Sequence, residues 1–372
     1  MSRARAEIDL SAIADNLKFI KSKSTAQVLA VVKADAYGHG LLPVAIAAQA
    51  AGADWLGTAL LEEAITLRNG GITKPILAWL TPPGEDFKTA IKLDIDLSIS
   101  SIEVLSEILT AGQSLNKKPR VHIEVDTGMS RGGVAEDWKQ FFSEIAKVAE
   151  KIEVVGIWSH FARADEPGEK MNESQLALFS NRVDELSKVG ISPKYLHIAN
   201  SAAALTNKSS HKNIIRWGIG LYGLSPDVNN LGDSKSLTLH PAMRLYAKLQ
   251  LVKSVKAGVT VGYGATAKTK VDTKLGVVTL GYADGIPRNA SNLAGVFVAG
   301  SRAPLIGRVS MDQFVVDLGI DSLAKTGDEV IVFGDGSKGE YTIDEWAKAC
   351  GTINYEIVTR IGSRVPRIYP RE

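Results

Sequence analysis

Between residues 28 and 218 eight short apolar runs recur, and no other feature limits the possible fold as strongly. They occupy 28–32, 55–58, 75–79, 95–99, 121–125, 154–159, 195–198 and 214–217. Between them lie segments whose apolar residues return every three or four positions, such as 61–68, 102–109, 138–149 and 174–189. Short continuous apolar runs separated by helical periodicity read as buried parallel strands joined by crossover helices. Eight such units is the count of a closed parallel barrel. A doubly wound open sheet is the competing arrangement, but neither GxGxxG nor GxxxxGKS/T follows the first run.

After residue 224 the texture changes. Residues 225–241 are rich in turn formers and read as a linker. Beyond them come β-type runs at 242–255, 275–280, 296–298, 314–318 and 330–333, parted by glycine turns, with one helical pattern at 343–349. The expected fold is therefore α/β: a (β/α)8 TIM-type barrel over residues 1–233, then a mainly antiparallel β domain over 234–372. Residues 1–10 are open to pairing with the second domain. A chain of 372 residues is long enough for two cores.

Composition narrows the partners. With 45% apolar and 23% charged residues and a net charge of +2, the chain has the balance of a soluble globular protein. Its scattered Lys and Arg form no basic field for nucleic acid or an anionic membrane. Residues 1–10 carry charges at positions 3, 5, 7 and 9 and no apolar core of a signal peptide, and the most apolar stretch, 41–53, is too short for a bilayer. The single cysteine, Cys350, leaves no intramolecular disulfide and no CxxC metal motif. A cytoplasmic protein with no metal, nucleic-acid or membrane partner is expected.

The chemistry gathers at the ends of the runs. In AVVKADAYGHG, residues 30–40, the first run ends in Lys33. Lysine at the end of a buried strand is costly without a partner or a covalent role, and desolvation favours the neutral amine that a Schiff-base lysine needs. A lysine that snorkels to water is the bland alternative. Barrel enzymes carry their catalytic groups at the carboxyl ends of strands. Here DTGMSRGG places Arg131 after the fifth run, His160 follows the sixth, Asn200 and Ser201 the seventh, and Arg216 ends the eighth with Gly218 and Gly220 behind it. Alone, Arg216 reads equally as a rim salt bridge and His160 as a satisfied core histidine; five such ends on one rim mark a site. The last two loops suit a phosphate on free backbone N–H groups, with the Ser201 hydroxyl added. Schiff-base lysine and phosphate seat together imply pyridoxal 5′-phosphate. Asp165 and Glu166 complete no metal-ligand spacing, and Trp55, Trp79 and Trp158 are expected to fill core or barrel layers rather than bind ligand.

Taken in order, AVVKADAYGHG, DTGMSRGG, the HFA of 160–162, RWGIGLYG, VGYGAT and GYADG resemble the alanine racemases, fold-type III pyridoxal-phosphate enzymes. The resemblance runs from Ala6 to the C-terminus. It implies an isomerase that interconverts L- and D-alanine by two bases, supplies D-alanine for peptidoglycan, and works as a homodimer with active sites shared between subunits. By it, Lys33 holds the cofactor and acts as one base, and Tyr263 is the other, reaching in from the partner subunit. Arg131 and Met311 bind substrate. Tyr37, Ser201, Gly218, Ile219 and Tyr355 surround the cofactor's phosphate, Asn200 and His160 also bind the cofactor, and Arg216 faces the pyridine nitrogen. His160 supports Tyr263, Asp312 joins Met311 from the partner, and Tyr282 lines the entrance.

Glu124 departs from the pattern, since many relatives carry a carbamylated lysine at that position; a built-in carboxylate paired with Arg131 is the expectation, with an outward-facing solvated glutamate as the alternative if the strand phase differs by one residue. Ala267 and Ser310 replace a frequent aromatic and a frequent cysteine. Two other readings stay open: a related racemase or decarboxylase acting on serine, lysine or a diamino acid, and a non-catalytic pyridoxal-phosphate carrier, a class that resembles the barrel alone.

Overall fold

A computed structural model describes residues 2–370. Its first strand, β1 (Ala4–Ile8), precedes the barrel, which is built from β2 (Gln27–Val31), β3 (Trp55–Thr58), β4 (Ile76–Ala78), β5 (Ile95–Ile99), β6 (Arg120–Glu124), β7 (Glu153–Trp158), β8 (Tyr195–His197) and β9 (Ile214–Trp217). These eight are the eight apolar runs, each within two residues of its expected limits. They pair in parallel in the order β8-β7-β6-β5-β4-β3-β2-β9. At the seam, Arg216 N–H donates to the Ala199 carbonyl at 3.0 Å, bringing β8 beside β9. All four residues of β3 and all five of β5 are buried, as expected of strands covered on one side by helices and on the other by the barrel interior.

The helices form for ordinary reasons. In Ile102–Ser114 the Ser101 hydroxyl accepts from Val104 N–H, and Val104, Leu105, Ile108 and Ala111 form one buried stripe. Burying a side chain such as Ile108 is worth about 1.5–3 kcal/mol.

The second sheet contains β10 (Met243–Val255), β13 (Thr273–Val278), β14 (Gly295–Val298), β15 (Ser301–Pro304), β16 (Phe314–Asp317), β17 (Glu329–Phe333) and β18 (Arg367–Ile368); β11 (Thr260–Val261) and β12 (Ala267–Lys268) form a separate hairpin. Its strands pair antiparallel except β1 with β18. Residues 4–8 belong to this sheet: Ala4 lies opposite Ala247 and Ile8 opposite Met243. A bulge between Leu249 and Leu251 lets the long β10 turn towards β13. Several elements went unanticipated, among them β11, β12, β18 and the short helix Val228–Leu231. The helix Asn354–Thr359, additional to Ile343–Cys350, spans only six residues, too few to display a period. β15, SRAP, is exposed at three of its four positions and lacks an apolar signature. Among the described residues no helix is long and apolar enough to cross a membrane.

Candidate active site

One cavity of about 600 Å³ is lined by eleven of the site residues expected from the sequence. Lys33 and Tyr37 enter it after β2, Glu124 from the end of β6 and Arg131 from the loop beyond. His160 follows β7, Asn200 and Ser201 follow β8, and Arg216, Gly218 and Ile219 come from the end of β9. Tyr355 reaches it from the helix Asn354–Thr359. Lys33, Arg131, His160, Asn200, Ser201, Arg216 and Gly218 thus meet in one cavity, and Gly220 does not line it.

The turn after Lys33 is unusual. Ala34, Asp35, Ala36 and Tyr37 have φ of 52–54°, four consecutive left-handed residues, none of them glycine. Each costs about 1–2 kcal/mol relative to its right-handed form. Part of the cost is recovered locally: Ala34 N–H donates to Glu63 Oε1 at 2.6 Å and Leu41 N–H to Asp35 Oδ1 at 2.8 Å. The turn carries the Tyr37 ring onto Tyr222, with centroids 4.7 Å apart. Burial lowers the Lys33 pKa, and the Arg131 and Arg216 cations lower it further against the opposing pull of Glu63.

The same cavity contains an anion cradle. Gly218 N–H donates to Ser201 Oγ at 2.9 Å, and a Cβ on Gly218 would stand 2.9 Å from Tyr37 Oη. Ser201 opens the helix Ser201–Thr206, which the Asn200 side chain caps by accepting from Ala203 N–H at 3.0 Å. Ile219 opens the 3₁₀ turn Ile219–Tyr222. First-turn N–H groups have no intrahelical acceptor, so these two adjacent starts present donors where a Cβ-free residue leaves space. A phosphate group fits this chemistry.

Charge in the cavity is set by Arg216. Its Nη2 donates to the Ser159 carbonyl at 2.8 Å and to His160 Nδ1 at 3.2 Å, and its Nη1 to the His197 carbonyl at 3.0 Å. Burial pulls its pKa down to about 9, Glu124 opposing, and it stays cationic at neutral pH. The arginine is also the end of a buried chain. Nη1 lies 3.5 Å from His197 Nδ1, His197 Nε2 lies 2.9 Å from His122 Nδ1, and His122 Nε2 lies 3.2 Å from Asp96 Oδ2. Gly156 makes room for it, since a Cβ there would fall 2.2 Å from His122 Nδ1.

Glu124 corrects an expectation. No carboxylate–guanidinium contact within 4.0 Å joins it to Arg131 among the described residues. Its Oε1 lies instead 3.1 Å from where a Cβ on Gly132 would stand. Burial raises its pKa to about 7, outweighing the pull of Arg216 and Arg131. The tryptophans divide between the core and the cavity wall. Trp55 is core, but Trp79 and Trp158 line the cavity, Trp79 with its ring 5.9 Å from Lys33 Nζ and Trp158 with its ring 5.0 Å from the Arg216 guanidinium. Their positions at the ends of the third and sixth apolar runs were the available signal.

Four named residues do not reach this cavity within one chain. Tyr263, Tyr282 and Met311 are 72%, 40% and 54% exposed, and Asp312 accepts from Arg364 at 2.7 Å. They share one patch of the β domain: Tyr282 N–H donates to the Ser310 carbonyl at 3.0 Å, and a Cβ on Gly264 would stand 3.1 Å from Arg308 Nη1. Among the described residues no cluster of His, Cys, Asp and Glu is arranged to hold a metal ion.

Comparison with known proteins agrees with this geometry. The family model for the alanine racemase N-terminal domain matches residues 8–226, and that for the alanine racemase C-terminal domain matches residues 242–369. The chain belongs to the alanine racemase family. It is an enzyme of that family, an amino-acid racemase. The alanine racemase of Salinispora arenicola is 48% identical over 376 residues, covering 100% of both chains, and that of Thermobifida fusca is 47% identical, covering 99% of this chain and 98% of the other. The crystal structure of alanine racemase from Streptomyces lavendulae superposes with a TM-score of 0.97 at 46% identity, over 100% of this chain and 98% of that one. The family's two-domain plan accounts for a barrel cavity completed by Tyr355 from the second domain.

Proposed function

We propose that the protein racemises alanine with pyridoxal 5′-phosphate and two bases, Lys33 and Tyr263, contributed by different subunits of a homodimer. The observation that carries this is the joining, in one cavity, of a desolvated Lys33 and the Tyr37–Ser201–Gly218 anion cradle. Bound there, the cofactor supplies an electron sink that acidifies the substrate Cα–H. Lys33 would hold it covalently, and its lowered pKa makes the neutral amine available as nucleophile and as base. Ser201, Gly218 and Ile219, with Tyr37 and Tyr355, would hold its phosphate, and Asn200 would support the cofactor beside them. Arg216, a cation with no acceptor, would keep the pyridine nitrogen unprotonated. Arg131 would orient the substrate carboxylate through a charge-assisted pair.

Inversion at carbon requires a proton removed from one face and delivered to the other. The barrel offers Lys33 for one face, so a second acid–base group is required. The exposure of Tyr263 on a patch shared with Tyr282, Met311 and Asp312 supports its delivery by a partner subunit, where His160 would support its hydroxyl and Tyr282 would border the entrance. Racemisation of alanine in the cytoplasm to supply D-alanine for peptidoglycan is the role that follows. The test is D-alanine formation from L-alanine by the purified protein, read beside the visible absorbance of bound cofactor. Yellow, active protein is expected. Activity on serine or lysine alone would move the substrate, and protein that stays colourless with added cofactor would defeat the Lys33 assignment.

A further inference from the structure

We infer that Arg367 and Tyr369, near the C-terminus, are positioning residues for Lys33 and Tyr37, acting through the left-handed turn between them; the inference rests on the reading of Lys33 as the cofactor lysine. Four consecutive L-residues at positive φ persist only where their surroundings over-determine them. The near end of the turn is held by Glu63 and by Ala36 N–H donating to the Val32 carbonyl at 2.9 Å. Its far end is held from the last strand of the other sheet. Arg367 Nε donates to the Gly38 carbonyl at 2.9 Å, and Tyr369 Oη donates to the His39 carbonyl at 3.1 Å.

The arginine has no carboxylate partner among the described residues and is committed to main-chain oxygens. Its Nη1 donates to Gly362 O at 2.7 Å and Val365 O at 2.8 Å, and its Nη2 donates to Ile361 O. A side chain so used organises backbone rather than balancing charge. The fit is close on both sides. A Cβ on Gly38 (φ +79°) would stand 2.3 Å from the Val358 carbonyl, and one on Gly40 (φ +99°) 1.9 Å from Tyr369 Oη. Pairing of Ala6 with Arg367 and Glu7 with Ile368 fixes the clamp to β1. The chain of support thus runs from β1 through β18 to the turn, and from the turn to Lys33 and Tyr37.

Amide hydrogen exchange of the holoenzyme tests this. His39 and Gly40 N–H are bonded within the turn, at 3.0 Å to Ala36 O and 2.9 Å to Asp35 O, and report its opening. Arg367→Ala should speed their exchange about tenfold and Tyr369→Phe about threefold, with exchange in the helix Ile102–Ser114 unchanged. Cofactor should be lost on dialysis faster by similar factors. Should Arg367→Ala fail to fold, Tyr369→Phe, which removes one hydroxyl, carries the test alone. Unchanged exchange in the turn, or an equal rise in Ile102–Ser114, overturns the inference. Unsubstituted protein that never takes up the cofactor would instead defeat the Lys33 reading, while the exchange data still judge the clamp.

Discussion

Arg216 Nη2 donates to His160 Nδ1 at 3.2 Å, and a guanidinium has no acceptor to offer in return. His160 is therefore the acceptor at Nδ1 and carries its proton on Nε2. Burial holds its pKa well below the ordinary value, and the Arg216, Arg131 and Lys33 cations push the same way. The imidazole is a neutral donor presented to the cavity, the form suited to hold a tyrosine oxygen.

It follows that His160 stays neutral at the pH where an ordinary histidine is half protonated. Nitrogen-15 spectra of histidine-labelled protein at neutral pH should show the protonated-Nε2, bare-Nδ1 pattern for His160 as well as for His197 and His122, with one such signal lost in His160→Gln. A His160 titration centred near the ordinary value of about 6.5 would refute the assignment.

The same polarity runs inward. Because Arg216 only donates, His197 Nδ1 accepts, His197 Nε2–H donates to His122, and His122 Nε2–H donates to Asp96, which is 1% exposed. Burial pulls the Asp96 pKa upward, but His122 and Arg120 together hold it below the ordinary value. Both Asp96 oxygens accept from Arg120, at 2.7 and 3.1 Å. An asparagine must therefore turn its amide against an arginine donor in either orientation. Asp96→Asn should cost about 2–4 kcal/mol by denaturant unfolding and scramble the His122 and His197 tautomers. Unchanged stability with unchanged tautomers would show that the chain is not polarised this way.

How much of this was readable in advance varies residue by residue. Parallel strands buried on both faces write themselves as unbroken apolar runs, so β2 to β9 and the rim residues after them were legible. The conformation of the turn at Ala34–Tyr37 was not, because alanine and tyrosine announce no positive φ and what holds it lies more than 300 residues away at Arg367 and Tyr369. The Glu124–Arg131 pair failed for a related reason. Sequence places both residues on one rim, but side-chain reach and the gap at Gly132 decide contact. The Asp96–His122–His197 chain was hidden because its members sit singly in three different strands and meet only when the barrel closes.

Glu124 makes a prediction of opposite sign to the usual carboxylate. Its folded pKa of about 7 lies above the ordinary carboxylate range. Between the unfolded and folded values the folded state holds a proton that the unfolded chain has released, so stability falls as pH rises through that window. The cost, on the order of 3 kcal/mol once both states are ionised, is absent at pH values below both. In cofactor-free protein Glu124→Gln should therefore raise stability above pH 7, leave it unchanged near pH 4, and flatten the profile between. A parallel offset at every pH would place the Glu124 pKa in the ordinary range.

Lys33 lines the cavity while Tyr263 stands 72% exposed on the β domain of the same chain, and that separation makes a sharp prediction for mixed subunits. Lys33→Ala and Tyr263→Phe should each abolish racemisation, and Tyr263→Phe should leave the cofactor bound. If each site takes Lys33 from one subunit and Tyr263 from the other, a heterodimer of the two variants has one site lacking both groups and one site lacking neither. Random pairing of equal amounts makes half of the dimers mixed, each with one intact site in two, so activity should return to roughly a quarter of the unsubstituted level. Recovery should require exchange of subunits, by unfolding and refolding together or by co-expression, and should not appear on simple mixing of stable dimers. If both bases come from one chain, every subunit in the mixture lacks one of them, and no pairing restores activity.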